Sequence, residues 1–200
     1  MKYIFLTEER SMKTFLDVLL RKNYPQFDFR TIHHEGKSDL KKSIPNKFGA
    51  LNTDDTMFVI LIDQDSSDCL ALKSEINAIC KRIKNINNIK YKVRIVCHEL
   101  ESWYLGDLSA IDKAFSIKPS KMQGKRKFRN PDKLANAKQE LRRYIKREHI
   151  GQVETAEKIA GTMTISNMQN NRSYSFHVFL RTIGLPPFST DAMQLQLEMD

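Results

Sequence analysis

Three cysteines in 200 residues, Cys69, Cys80 and Cys97, show no CxxC spacing and leave one thiol over in any disulfide scheme. That usage excludes a disulfide scaffold and a zinc finger, and predicts reduced, buried thiols in a cytoplasmic protein. Long apolar runs are missing as well. The longest, Met57–Ile62, is far too short to span a bilayer, so no membrane association is expected. The start of the chain, Met1-Lys2-Tyr3-Ile4-Phe5-Leu6, meets Glu8 and Glu9 before a signal-peptide core could form, which argues against secretion. No GxxxxGK[ST] phosphate loop occurs, and no internal repeat or low-complexity tract divides the chain. What remains, with 40% hydrophobic residues, suits one unit able to bury a sizeable core.

The charge is uneven. Of 33 Lys/Arg and 24 Asp/Glu, twelve and two fall between Lys118 and Arg147, which leaves 21 and 22 elsewhere. One segment therefore supplies the net charge of +9, and the rest is nearly neutral. A local cationic excess of this kind suits a phosphate backbone, and the natural contacts are Lys118, Lys121, Lys125, Arg126, Lys127, Arg129, Arg142 and Arg143. Phe128 and Tyr144 lie within it as candidate stacking rings. The plainer alternative is a solvated helix face beside a loop.

Periodicity predicts alternating strands and helices. Strands are expected at Tyr3–Leu6, Phe27–Ile32, Met57–Ile62 and Lys92–Cys97. The third is apolar on both faces, as a central parallel strand covered by helices should be. Helices are expected at Ser11–Arg21 with Ser11 as N-cap, at Leu70–Ile86, as short pieces over Trp103–Phe115, and from Pro131 or Asp132 to about Lys146. Further helices are expected at Thr155–Ala160 and Ser173–Ile183, and Pro186–Asp200 reads as a loose tail. Gly36–Asn46 reads as a polar connector whose helical turn Pro45 stops. The whole is an α/β fold with a mostly parallel sheet. Its core would span 1–116, and a basic helical region over 117–200 would pack onto it as one unit.

Acidic residues recur at the strand ends: Glu8 and Glu9 after the first, Asp63-Gln64-Asp65 after the third, Glu99-Leu100-Glu101 after the fourth. In a parallel sheet these ends share one edge, the edge where open α/β folds bind ligands. Clustered carboxylates repel unless a cation intervenes, and hard oxygen ligands favour Mg²⁺ or Mn²⁺. Alternation along an extended chain would point Asp63 and Asp65 the same way. Each acid alone also suits a turn, a helix cap or a solvated loop; their coincidence at three strand ends is the argument.

At these residues the chain resembles the Toprim fold shared by topoisomerases, primases, old-lysogenization-type nucleases and a ribosomal-RNA maturase. That fold places a glutamate after the first strand and a DxD after the third, matched by Glu8 and Asp63-Gln64-Asp65. The chain is more similar to a Toprim-like family described only as a domain of unknown function and often found beside ATPase genes. The resembling stretches include His34–Leu40, Glu99–Asp107 and Asn171–Phe176. Where Toprim domains usually carry glycine directly after the first glutamate, this chain has Glu9, so either Glu8 or Glu9 could be the acting acid. Strand passage would also need a separate tyrosine-nucleophile domain, for which 200 residues leave no room, so that activity is not expected.

The resulting expectation is a Mg²⁺-dependent nuclease hydrolysing DNA or RNA. Asp63 and Asp65 would bind the metal, Glu99 or Glu101 would assist, and Glu8 would act as base or second-metal ligand. The resemblance implies an antiphage setting and an ATPase partner. The alternatives are a non-catalytic basic nucleic-acid-binding subunit whose acidic edge holds a structural ion, and transfer chemistry on a nucleotide. His98 beside Glu99 could carry a proton. Lys37 could meet phosphate if the Gly36 loop lies at the sheet edge. Trp103 reads as core, His33-His34 as no zinc site, and Ser173 and Ser175 as no triad.

Overall fold

The computed structural model describes residues 1–83, 86–145, 150–165 and 170–184. The expected tail at Pro186–Asp200 and the basic residues Lys146 and Arg147 lie outside the described residues. Four parallel strands, β1 (Lys2–Thr7), β2 (Phe29–His33), β3 (Thr56–Asp63) and β4 (Lys90–Val96), form one sheet in the order β2-β1-β3-β4. Between them run α1 (Arg10–Asn23), α2 (Lys37–Leu51) and α3 (Cys69–Lys81). The expected α/β fold with a parallel sheet is what forms.

Strand alternation sorts the core into two layers. Phe5, Val59, Leu61 and Val96 face one side of the sheet, where Phe15, Leu16 and Leu19 of α1 cover them. Ile4, Leu6, Phe58, Ile60 and Ile62 face the other, under Leu40, Ile44 and Phe48 of α2 and Leu72 and Ile76 of α3. The first layer continues without a break into the C-terminal region, through α4 (Glu101–Gly106), α5 (Leu108–Phe115), α7 (Ala137–Tyr144), α8 (Gln152–Thr162) and α9 (Tyr174–Thr182). A short helix α6 (Arg126–Arg129) lies between α5 and α7.

Several local expectations are corrected. Pro45 does not stop a helical turn; it sits exposed inside α2. An interior proline costs about 3 kcal/mol, whereas burying Leu40, Ile44 and Phe48 returns about 1.5–3 kcal/mol each. Packing wins. Ser11 is not the N-cap of α1: Glu9 holds that position and Ser11 is buried within the helix. The helix expected from Pro131 is a single 3-10 turn, Pro131–Lys133, followed by the separate α7. The helix expected to reach Ile86 ends at Lys81.

Strand order decides where a ligand can bind. The chain leaves β1 toward β2 on one side, then returns across β1 to place β3 on the other. The crossovers therefore diverge between β1 and β3, and a crevice opens beyond the carboxyl ends of those two strands. Glu8 follows β1, and Asp63 ends β3. The three strands that carry the acids are neighbours in the sheet.

Candidate functional site

Parallel pairing aligns Thr7 with Leu61 and Asp63 with Val96, so the first glutamate emerges beside the end of β3. The Glu8 Oε2 atom accepts the backbone N–H of Asp63 at 3.1 Å. The β2–α2 loop folds over the same edge, where Gly36 at φ +100° donates its N–H to the Glu8 carbonyl at 3.0 Å. Lys37, the next residue, reaches Asp65 Oδ2 at 2.5 Å. The Gly36 loop thus lies at the sheet edge, and its cation faces an acid of the DxD.

The extended chain on which the expected alternation of Asp63 and Asp65 rests stops at Asp63. Gln64 still donates to the Val96 carbonyl at 2.9 Å, but Asp65 enters the left-handed region at φ +51° and donates to the His98 carbonyl at 2.7 Å. Asp63 is left 5% exposed, while the Asp65 side chain is 53% exposed and turned to Lys37. His98 is left-handed as well, at φ +55°, so the two loops beyond β3 and β4 brace one another.

The third acidic pair divides. Glu101 opens α4 and faces the cluster, whereas Glu99 Oε2 accepts the Lys138 N–H at 2.8 Å, in the first turn of α7. Glu99 thereby fastens the start of a basic-segment helix to the acidic edge. Burial pushes the Asp63 carboxyl well above the usual carboxylate range, and the charges of Glu8, Glu101, Glu9 and Asp65 raise it further. Burial also raises Glu101, to about 7, against the opposing charge of Lys138. Glu8 is pushed up to about 6 by burial, although Lys37 and the Asp63 N–H pull it down. Both glutamates after β1 act on Asp63: Glu8 lies toward Lys37 and Asp65, and the charge of Glu9 also bears on Glu101.

Do these residues fit a hard divalent cation? Among the described residues, no three His, Cys, Asp or Glu side chains already stand close enough to hold one. Asp65 leans on Lys37, Glu99 on α7 and Glu8 on a backbone N–H. Yet Asp63 Oδ1 is buried with no hydrogen-bond partner among the described residues. A buried acceptor without a donor costs about 1–3 kcal/mol, more when charged. An all-oxygen donor set around it is the chemistry that Mg²⁺ or Mn²⁺ takes, so the residues fit the ion in kind.

The basic segment is only partly available. Lys127 and Arg143 bond to Glu140 at 2.6 and 2.9 Å, and Glu140 is 3% exposed. Those two cations hold the segment together. Arg129 donates to the Gly124 carbonyl at 3.4 Å. Lys118, Lys121, Lys125, Arg126 and Arg142 are exposed. Phe128 cannot serve as a stacking ring, because it is fully buried in the apolar core, and the Tyr144 hydroxyl donates to Glu140.

The motif stretches turn out to be one another's packing partners. Trp103 is fully buried against Phe176, and its Nε1 donates to Ser175 Oγ at 2.9 Å. Asp132 accepts from Ser173 Oγ and from the Ser175 N–H, both at 2.6 Å, at the start of α9. Asn171 Nδ2 donates to the Trp103 carbonyl at 2.9 Å. His34 is buried, donating through Nδ1 to the Thr7 carbonyl at 2.9 Å. Two participants went unassigned to the site in the sequence. One is the Lys138 N–H, which no side-chain pattern signals. The other is Tyr104, which reads as core beside Trp103.

An open, all-parallel α/β sheet with its acids gathered at the switch point is an architecture of the Rossmann/Toprim kind. Residues 7–184 match the model of a family described as Domain of unknown function (DUF4276), and the chain belongs to that family. No curated protein and no solved structure matches it. Among the described residues, no helix is long and apolar enough to cross a membrane.

Proposed function

We propose that the chain is a Mg²⁺- or Mn²⁺-dependent phosphodiesterase acting on DNA or RNA. One observation carries the reading: the buried, unpaired Oδ1 of Asp63 at the switch point, with the charges of Glu8, Glu9, Asp65 and Glu101 around it. Asp63 and Glu101 would hold the ion, joined by Asp65 on release from Lys37. A bound ion supplies polarisation of the phosphate and stabilises charge on the leaving oxygen. Glu8, at about 6, is matched to take a proton from water near neutral pH, as a general base should be. The water oxygen bonds to phosphorus, the bond to the leaving oxygen breaks, its proton passes to Glu8, and solvent protonates the leaving group. Lys37 would then be free to meet a phosphate oxygen.

Nucleic acid is the favoured substrate because the exposed cations Lys118, Lys121, Lys125, Arg126 and Arg142 belong to the segment whose helix α7 Glu99 fastens to the acidic edge. The Toprim-like resemblance adds an antiphage role under the control of an ATPase partner. A second reading, a non-catalytic binding module, is favoured by the same Glu99 contact, which shows an acid of the edge already in structural use. Incubation of the purified protein with Mn²⁺ and single- and double-stranded DNA and RNA separates the two. Cleavage that disappears in Asp63→Asn supports the enzyme; binding without cleavage of any of the four substrates gives the module.

A further inference from the structure

Tyr104 lies on α4, three residues after Glu101, with its ring 5.1 Å from that of Phe15. It is 2% exposed, and its hydroxyl has no hydrogen-bond partner among the described residues. A phenylalanine would fill the same space against the same rings without that unmet donor, so packing alone does not account for the hydroxyl. The charges bearing on it are those of Glu101, Asp63 and Glu9, in that order. Among the described residues, Asp63 Oδ1 is a buried acceptor without a donor, and Tyr104, on which the charge of Asp63 bears, carries a buried donor without an acceptor.

We infer that Tyr104 is a positioning residue of the acidic edge: its hydroxyl donates to Glu101 when a divalent cation draws that carboxylate toward Asp63, and so selects the oxygen that faces the ion. The inference rests on the cation site proposed above. Groups that orient a metal ligand through its second oxygen or nitrogen typically change affinity by about 10–100-fold. Because the hydroxyl is unpartnered without the ion, its removal should leave the ion-free fold untouched.

Calorimetric titration with Mn²⁺, paired with melting curves in EDTA and in Mn²⁺, tests this on the wild type, Tyr104→Phe, Glu101→Gln and the double variant. Expected are Mn²⁺ binding weakened about 10–100-fold in Tyr104→Phe, a Tm in EDTA that is unchanged or higher, and a smaller rise in Tm with Mn²⁺. The double variant should bind no more weakly than Glu101→Gln, since the hydroxyl acts through that carboxylate. A wild type that binds no Mn²⁺ at millimolar concentration removes the site and this role with it. A wild type that binds while Tyr104→Phe binds equally well removes this role alone. A Tm in EDTA that drops in Tyr104→Phe makes the hydroxyl a support of the ion-free fold and overturns the inference.

Discussion

The Glu8 carboxylate accepts the N–H of Asp63 at 3.1 Å, so the acid after the first strand is fastened to the end of the third. That bond spans 55 positions of sequence and exists because β1 and β3 are neighbours. Replacing Glu8 by Gln keeps a carbonyl oxygen for that N–H but removes the basic oxygen. Cleavage should fall about 10²–10⁴-fold with nucleic-acid binding kept. Glu9→Gln should mainly weaken Mn²⁺ binding, because the charge of Glu9 bears on Glu101 and Asp63. Single-turnover cleavage beside Mn²⁺ titration reads both; a catalytic loss in Glu9→Gln with full activity in Glu8→Gln would exchange their roles.

The acidic edge should make stability depend on pH in an unusual direction. Burial lifts Glu101 to about 7 and Glu8 to about 6, from an ordinary 4.5. The native state then binds these protons more tightly than the unfolded chain, so stability falls as pH rises from about 4.5 through 7. Melting curves in EDTA should show a higher Tm near pH 5 than near pH 8, and Mn²⁺ should offset much of the fall. Asp63→Asn, which removes a deeply buried acid of the edge, should raise Tm in EDTA at pH 8 and cancel part of the Mn²⁺ effect. A Tm in EDTA that does not fall between these pH values would remove carboxylate repulsion as a feature of the edge.

Cations of the basic segment should divide by what they touch. Lys125 and Arg126 are exposed, whereas Lys127 is bonded to buried Glu140. Reversing Lys125 and Arg126 to glutamate should weaken nucleic-acid binding across sequences and flatten its log–log salt slope by about 1 per lost phosphate contact. Lys127→Ala should instead lower Tm. Titrations at several salt concentrations decide it, and unchanged affinity and slope in the reversal variant would make the segment a solvated face.

Gly106 has no room for a side chain: a Cβ there would run into the Asn171 amide, which is itself bonded to the Trp103 carbonyl. Gly106→Ala should cost about 1–3 kcal/mol through overpacking. Urea denaturation measures it. A variant as stable as the wild type would mean that the Asn171 contact yields freely.

The strands and most helices were legible in the sequence because they follow local periodicity. Met57–Ile62, apolar on both faces, reads as a central strand, and Leu72 and Ile76 mark the buried stripe of α3. Pro45 misled because a local rule about the missing N–H lost to three buried side chains on the same helix. Phe128 misled because its cationic neighbours suggested a surface, while only the packed fold shows the ring inside.

By itself the sequence determined which residue types stand at each strand end, and so that acids would gather if the sheet were parallel. Only the tertiary structure decided which of them meet. The order β2-β1-β3-β4 puts Glu8 against Asp63, the left-handed turn at Asp65 sends that carboxylate to Lys37, and the Lys138 N–H of α7 takes up the Glu99 carboxylate. The reason is physical. Periodicity is written in neighbouring residues, whereas burial, mutual repulsion and an unpaired oxygen arise only between segments the fold brings together.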